Sequence, residues 1–285
     1  MVRFGIENTI TPLRRALLHS PVESLGAADA LAWGYPAGRD RARALAEHAG
    51  LCALLAAEGV EITVDDQETG VDATYACDPA VMTPWGAVIC AMGKPERRDE
   101  APAMEARLRA AGVDVLGAIA APGTLEGGDA IWLDRATLWL GIGARTNHAA
   151  ADQLAALLAP RGVQLRRVEL PWRDGPGRCL HLRSLINVID VDLAVIDRPW
   201  LPFVVLSELA DRGLRLIDAV PEEIDTQGNN ILVLRPRVVA LVCGNPRTEA
   251  LLATEGVEVR RFEGDELCVK GTGGPSCLVL DLHRG

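Results

Sequence analysis

The chain of 285 residues has no CxxC pair, no low-complexity linker and no apolar run near the roughly 20 residues that a membrane span requires. Its opening, MVRFGIENTITPLRR, lacks the basic-then-apolar order of a signal peptide. Seven cysteines stand singly, at Cys52, Cys77, Cys90, Cys179, Cys243, Cys268 and Cys277. An odd number of scattered thiols argues against a disulfide or zinc framework and for a reducing cytoplasm. Basic residues are also in deficit. A net charge of −10 sets the chain against nucleic acid, whose phosphates are usually met by a basic face. The same charge suits a small cationic substrate, as it does many acidic proteins. What remains, 49% hydrophobic and 24% charged residues, is the composition of an ordinary globular protein with a large core.

What is present is a repeat. A polar residue heads two short apolar strands joined by a turn in DPAVMTPWGAVIC from Asp78 and DAIWLDRATLWLG from Asp129. The pattern returns in SLINVIDVDLAVI from Ser184 and NILVLRPRVVALV from Asn230, at intervals of about 50 residues. Between the copies, RDRARALAEHAGLCALLAAEG, ERRDEAPAMEARLRAAG, NHAAADQLAALLAPRG and NPRTEALLATEG carry helical periodicity and end at glycine. A short extended piece follows each: VEITV, VDVLGAI, VQLRRVEL and VEVRRF. Each unit thus reads strand, strand, helix, strand. LRRALLHSP looks like part of a fifth unit whose missing strand CLVLDL supplies. Five units closing into a ring is the simplest α/β arrangement, with an open α/β sheet as the alternative. In a ring, the heads Asp78, Asp129, Ser184 and Asn230 occupy equivalent places near the centre, where carboxylates need a cation.

Several motifs are candidates for chemistry. KGTGGPSC is rich in glycine but leads into a strand-like run with no G-K-[ST], so it does not read as a phosphate loop. Cys277 at its end is either a nucleophile or a small buried residue. In TLEGGD, Glu126 and Asp129 flank two glycines, and His181 precedes an apolar strand in RCLHLRSLINVI. GKPERRDE places Arg97 and Arg98 before a helix, and in GIGARTNHAA Arg145 and Asn147 open one, with Asn147 suited to an N-cap.

In this order and spacing, over nearly the whole chain, these motifs resemble the guanidino-group-modifying enzymes. The matching stretches are LRRALLHSP, DP from Asp78, GKPERRDE, EGGD from Glu126, ARTN from Arg145, HLRS from His181 and GGPSC ending in Cys277. That superfamily comprises arginine deiminases, dimethylarginine dimethylaminohydrolases and amidinotransferases. The resemblance implies a single five-bladed α/β-propeller (pentein) domain over residues 1–285, with pseudo-fivefold ββαβ repeats. It also implies roles. Cys277 would be the nucleophile, His181 the general acid/base, and Glu126 the carboxylate that orients the histidine and contacts substrate. Asp78 and Asp129 would grip the guanidinium, Arg97 and Arg145 would meet an α-carboxylate, and Ser184 would join them in substrate binding.

This set suits a guanidinium, a poor electrophile because its charge is delocalised over three nitrogens. Carboxylates fix it while a thiolate approaches the central carbon, and no metal or organic cofactor is needed. The expected reaction is hydrolysis of arginine or an N-methylated arginine to citrulline or a related urea. Transfer of the amidino group to an amine is the alternative, and a non-catalytic binding role, as in a ribosome-associated propeller, is a third. Two positions depart from the pattern. Arg183 replaces the Asp usual two residues after the histidine in arginine deiminases, a place where dimethylarginine hydrolases usually carry Lys. Cys77 replaces the acidic residue that the latter often carry before the Asp, and reads either as packing or as widening the pocket. The expected partner is a small cationic guanidine, with neither nucleic acid nor membrane; self-association is left open.

Overall fold

A computed structural model describes residues 4–27, 34, 35, 38–173 and 180–285; Cys179 lies outside them. The chain runs through β1 (Leu13–His19), α1 (Arg41–Ala57), β2 (Glu61–Asp65), β3 (Ala80–Thr83), β4 (Gly86–Ile89), α2 (Glu100–Ala110) and β5 (Val115–Ala118). It continues through β6 (Ala130–Asp134), β7 (Thr137–Ile142), α3 (His148–Leu158), β8 (Gln164–Glu169), β9 (Ile186–Asp190) and β10 (Leu193–Ile196). Then come α4 (Phe203–Asp211), β11 (Arg215–Asp218), β12 (Leu232–Arg235), β13 (Val238–Val242), α5 (Pro246–Thr254), β14 (Glu258–Phe262), α6 (Pro275–Leu278) and β15 (Val279–Arg284).

These strands form five three-stranded sheets, β3-β4-β5, β6-β7-β8, β9-β10-β11, β12-β13-β14 and β15-β1-β2. In each, the first pair is antiparallel and the second parallel, the helix carrying the chain across to the parallel strand. The fifth sheet obeys the same rule with β15 in first place, its residues Val279 and Leu280 opposite Leu18 and Leu17. The terminal apolar run therefore completes the opening unit, as its sequence suggests. The third unit also has its helix and outer strand, α4 and β11, which the sequence pattern alone did not reveal.

Local chemistry sets the element ends. Asp40 caps α1 by accepting from the Ala42 and Arg43 amides, and Asn147 caps α3 by accepting from Ala150. The glycines that follow the helices, at 59, 112, 162, 213 and 256, all take the left-handed conformation that stops a helix.

Strands buried on both faces need no alternation of polarity, which is why these runs are almost continuously apolar. On β13, Val238, Ala240 and Val242 pack with β1 and β15, while Val239 and Leu241 pack with β9 and β10. On β7, Leu138 and Leu140 face β3 and β4, and Trp139 faces β9 and β10. Leu17 and Leu280 extend the cluster around β3 and β4 to the fifth sheet. Each sheet thus shares an apolar cluster with the next, and the sheet of β15 and β1 shares one with either neighbour.

Candidate active site

Repetition brings the unit heads together. Asp78 precedes β3, Glu126 and Asp129 precede β6, His181 and Ser184 precede β9, Asn230 precedes β12 and Cys277 precedes β15. A cleft of about 540 Å³ is walled by Asp72, Asp78, Lys94, Arg97, Glu126, Arg145, His181, Ser184 and Cys277, with Tyr35, Tyr75 and the 271–273 loop at its side.

Glu126 is wholly buried and anchors the charged wall. Its Oε1 accepts from the Gly93 and Lys94 amides at 3.1 and 3.2 Å and from Arg145 at 3.3 Å. Its Oε2 meets His181 Nε2 at 3.0 Å, which makes that nitrogen the protonated one and leaves Nδ1 on the Asp78 side, 3.7 Å from Oδ1. Burial works against the Glu126 charge, but the His181 hydrogen bond and the Arg97 and Arg145 charges hold its carboxyl well below the usual range. Gly128 makes the approach feasible, since a β-carbon there would overlap the His181 imidazole.

Asp78 is held from several sides. Oδ2 accepts from Arg97 at 2.6 Å, and Oδ1 from the Gly128 amide at 3.1 Å and the Cys77 thiol at 3.2 Å. Arg97 is itself fully engaged. Nε and Nη2 meet Glu100, Nη1 meets Asp78, and Nη2 reaches the Asp72 and Tyr75 carbonyls. Burial opposes the charge on Arg97, yet Glu100 and Asp78 raise its pKa well above normal. Expected to meet a substrate carboxylate, Arg97 instead braces Asp78. Asp129 also departs from expectation. It lies behind the wall, accepting from Thr146 Oγ1 at 2.6 Å and from the Leu182 amide at 3.0 Å, so it fixes the segment bearing His181. Burial lifts its carboxyl to about 6.

Sequence reasoning missed Asp72, Lys94 and the role of Asn230. Asp72 Oδ2 pairs with Lys94 Nζ at 2.6 Å, while its buried Oδ1 has no hydrogen-bond partner among the described residues. The only signal for Asp72 in the sequence was an acidic residue shortly before DP; Lys94 lay within GKPERRDE without distinction.

The opposite wall is nearly neutral. Glu47 of α1 accepts from the Glu266 and Leu267 amides and docks the turn at Asp265–Val269. Tyr75 holds the following loop through the Leu267 and Gly271 carbonyls, at 3.1 and 2.5 Å. At Gly274 a β-carbon would overlap Asn230, whose side chain grips the nucleophile loop. Asn230 Oδ1 accepts from the Ser276 amide and hydroxyl, and Nδ2 donates to Cys277 Sγ at 3.1 Å. The glycine loop enters the single helical turn of α6 before the strand, where the sequence suggested direct entry. The Cys77 thiol hydrogen bond, the His181 charge and the Asn230 amide together outweigh burial and draw the Cys277 thiol down to about 7.

Among the described residues, Asp78, Glu126 and His181 are the group whose atoms, all within 4.8 Å, can converge on a cation. Arg97, Arg145 and the His181 N–H already occupy that region, so its free capacity lies toward Asp72.

A cysteine whose thiol is drawn down, a carboxylate-bound histidine and an acidic wall thus share one cleft. The chain belongs to the arginine deiminase family, whose model matches residues 72–202 and 204–284. It is 28% identical to an N(G),N(G)-dimethylarginine dimethylaminohydrolase of Pseudomonas aeruginosa over 94% of this chain and 98% of that one. The counterpart from Streptomyces coelicolor is 30% identical over 81% and 82%. An arginine deiminase of Rhodococcus erythropolis is 27% identical over 56% of this chain; the match spans 46% of that enzyme, about half its length. In three dimensions the chain matches a serine-for-cysteine mutant of the Pseudomonas aeruginosa DDAH complexed with citrulline. The identity is 26% and the TM-score 0.79, over 94% of this chain and 99% of that one. An amidinotransferase from Microseira wollei, 16% identical with a TM-score of 0.77 over 99% and 97%, shares the fold alone. The pentein expectation is met in its five repeated α/β units.

Proposed function

We propose that the protein hydrolyses the guanidino group of arginine or an N-methylated arginine to citrulline, releasing ammonia or an alkylamine. The observation that carries this reading is the presence of Cys277, the His181–Glu126 pair and the unpartnered Asp72 oxygen in one cleft. The match to dimethylarginine hydrolases over most of their length favours the methylated substrate.

Asp72 Oδ1 takes a guanidinium N–H, satisfying an acceptor that is costly to leave buried and unpaired. Asp78, rigid on Arg97, presents its charge to the same cation. The Cys277 thiolate adds to the guanidinium carbon to give a tetrahedral adduct. His181 protonates the departing nitrogen, the C–N bond breaks, and a thiouronium remains on sulfur. Neutral His181 then takes a proton from water; the hydroxide adds to the same carbon, and the C–S bond breaks to return the thiolate and leave the urea. Glu126 balances the imidazolium each time it forms. At the mouth, Lys94 and Arg145 serve the α-carboxylate in place of Arg97.

The test is product analysis with arginine, mono- and dimethylarginine, agmatine and guanidino acids, each with and without glycine. Citrulline with dimethylamine supports the methylated substrate, and citrulline with ammonia identifies arginine. A new guanidino compound formed only with glycine overturns hydrolysis in favour of transfer.

A further inference from the structure

Cys77 lies on the backbone of the nucleophile. Its amide donates to the Cys277 carbonyl at 3.2 Å, its buried thiol donates to Asp78 Oδ1 at 3.2 Å, and its sulfur neighbours that of Cys277. Disulfides span about 4.4–6.8 Å at Cα. The backbone hydrogen bond holds the two residues side by side, the proximity that a disulfide requires. Cys277 faces the cleft, where a small oxidant can reach it, and Cys77 lies behind it against a separate narrow pocket shared with Arg183 and Asp281.

From this placement we infer that Cys77 is a resolving thiol for Cys277, and that the two form a reversible disulfide when the enzyme meets a hydroperoxide. This rests on Cys277 being the reactive thiol of the proposed hydrolysis. In the first step the Cys277 thiolate attacks the peroxide, breaking the O–O bond and giving a sulfenic acid and hydroxide. In the second, the Cys77 sulfur attacks the sulfenic sulfur, its proton passes by way of Asp78 to the departing oxygen, and water leaves. Two thiols are oxidised by two electrons and one peroxide becomes two waters. Contact with Cys277, burial and the Asp78 and Cys277 charges normally keep the Cys77 thiol protonated; conversion of Cys277 to a neutral sulfenic acid removes the last of these. The disulfide blocks the nucleophile while shielding it from irreversible over-oxidation.

Other described thiols offer rival pairings. Cys268 is buried near Cys277, but its thiol makes no hydrogen bond to it, and Cys90 lies under the carboxylates. The test is peroxide treatment of the full chain at neutral pH, followed by peptide mapping and intact mass, with activity before and after dithiothreitol. The expected result is a cross-linked peptide joining Cys77 and Cys277, a mass loss of two hydrogens, and loss of nearly all turnover that dithiothreitol restores. A Cys77→Ser variant, scored against its own untreated activity, should instead lose turnover irreversibly as Cys277 passes to the sulfinic acid; Cys77→Val serves if the serine variant fails to fold. Oxidised Cys277 with Cys77 still free, or a bond from Cys277 to Cys268, overturns the resolving role. Mapping reads the bond without any substrate, so an enzyme inactive before oxidation would count against the proposed hydrolysis and leave this result separately legible.

Discussion

Cys268 and Cys277 share one stretch of chain, are both buried, and behave oppositely. Cys268 packs among Val242, Phe262 and Leu267, and burial pushes its thiol well above the ordinary value. Cys277 is buried too but lines the cleft, where it meets Cys77, the Asn230 amide and the His181 charge, and falls to about 7. Enclosure alone therefore makes a thiol inert. Donors placed around it make it reactive, and here they come from the heads of three other units.

The sharpest break of this comparison is Cys277→Ser, which should lower turnover by on the order of 10⁴-fold or more while far-UV circular dichroism is unchanged. Retained citrulline formation would remove Cys277 from the chemistry. Next come His181→Ala and Glu126→Gln, each expected to cost about 10²- to 10⁴-fold in kcat, since the proton carrier or its counter-charge is lost. A loss confined to KM would argue that the pair only binds.

The pH profile follows in size. Because the thiolate is the attacking form, kcat/KM should fall about tenfold per pH unit below about 7 and level off above it. Asn230→Ala removes a donor to the thiolate, so the inflection should move to higher pH; an unmoved inflection would assign it to another group. The smallest effect belongs to the inert thiol. Cys268→Ala should keep turnover within about twofold and lower unfolding stability by about 1 kcal/mol, read by urea titration. A large fall in kcat with stability intact would mean that Cys268 influences the nucleophile after all.

Much of this was legible in the sequence, for definite reasons. Strands such as AVMT and VVALV are apolar throughout because both faces are buried, and their turns and glycine stops mark the units. FVVLSELAD and RLID escaped notice because a nine-residue helix and a four-residue strand carry little periodicity. Of the unit heads, Asp78 and Ser184 line one cleft with Glu126, His181 and Cys277. The errors came from direction, which spacing does not encode. Arg97 turns inward onto Asp78 and Glu100, and Asp129 turns back to Thr146 and Leu182. Asp72 belongs to no repeat and carries no pattern of its own, so only its place beside Lys94 brings it into view.

The pairing of β15 with β1 also orders events during synthesis. Asp78, Glu126, His181 and Asn230 leave the ribosome well before Cys277, and the strand that seats the nucleophile must find a partner made more than 250 residues earlier. The acidic residues of the cleft are thus made before the sulfur that faces them. The sulfur is therefore the last of the cleft's side chains to be made, and it is seated only when the fifteenth strand docks on the first.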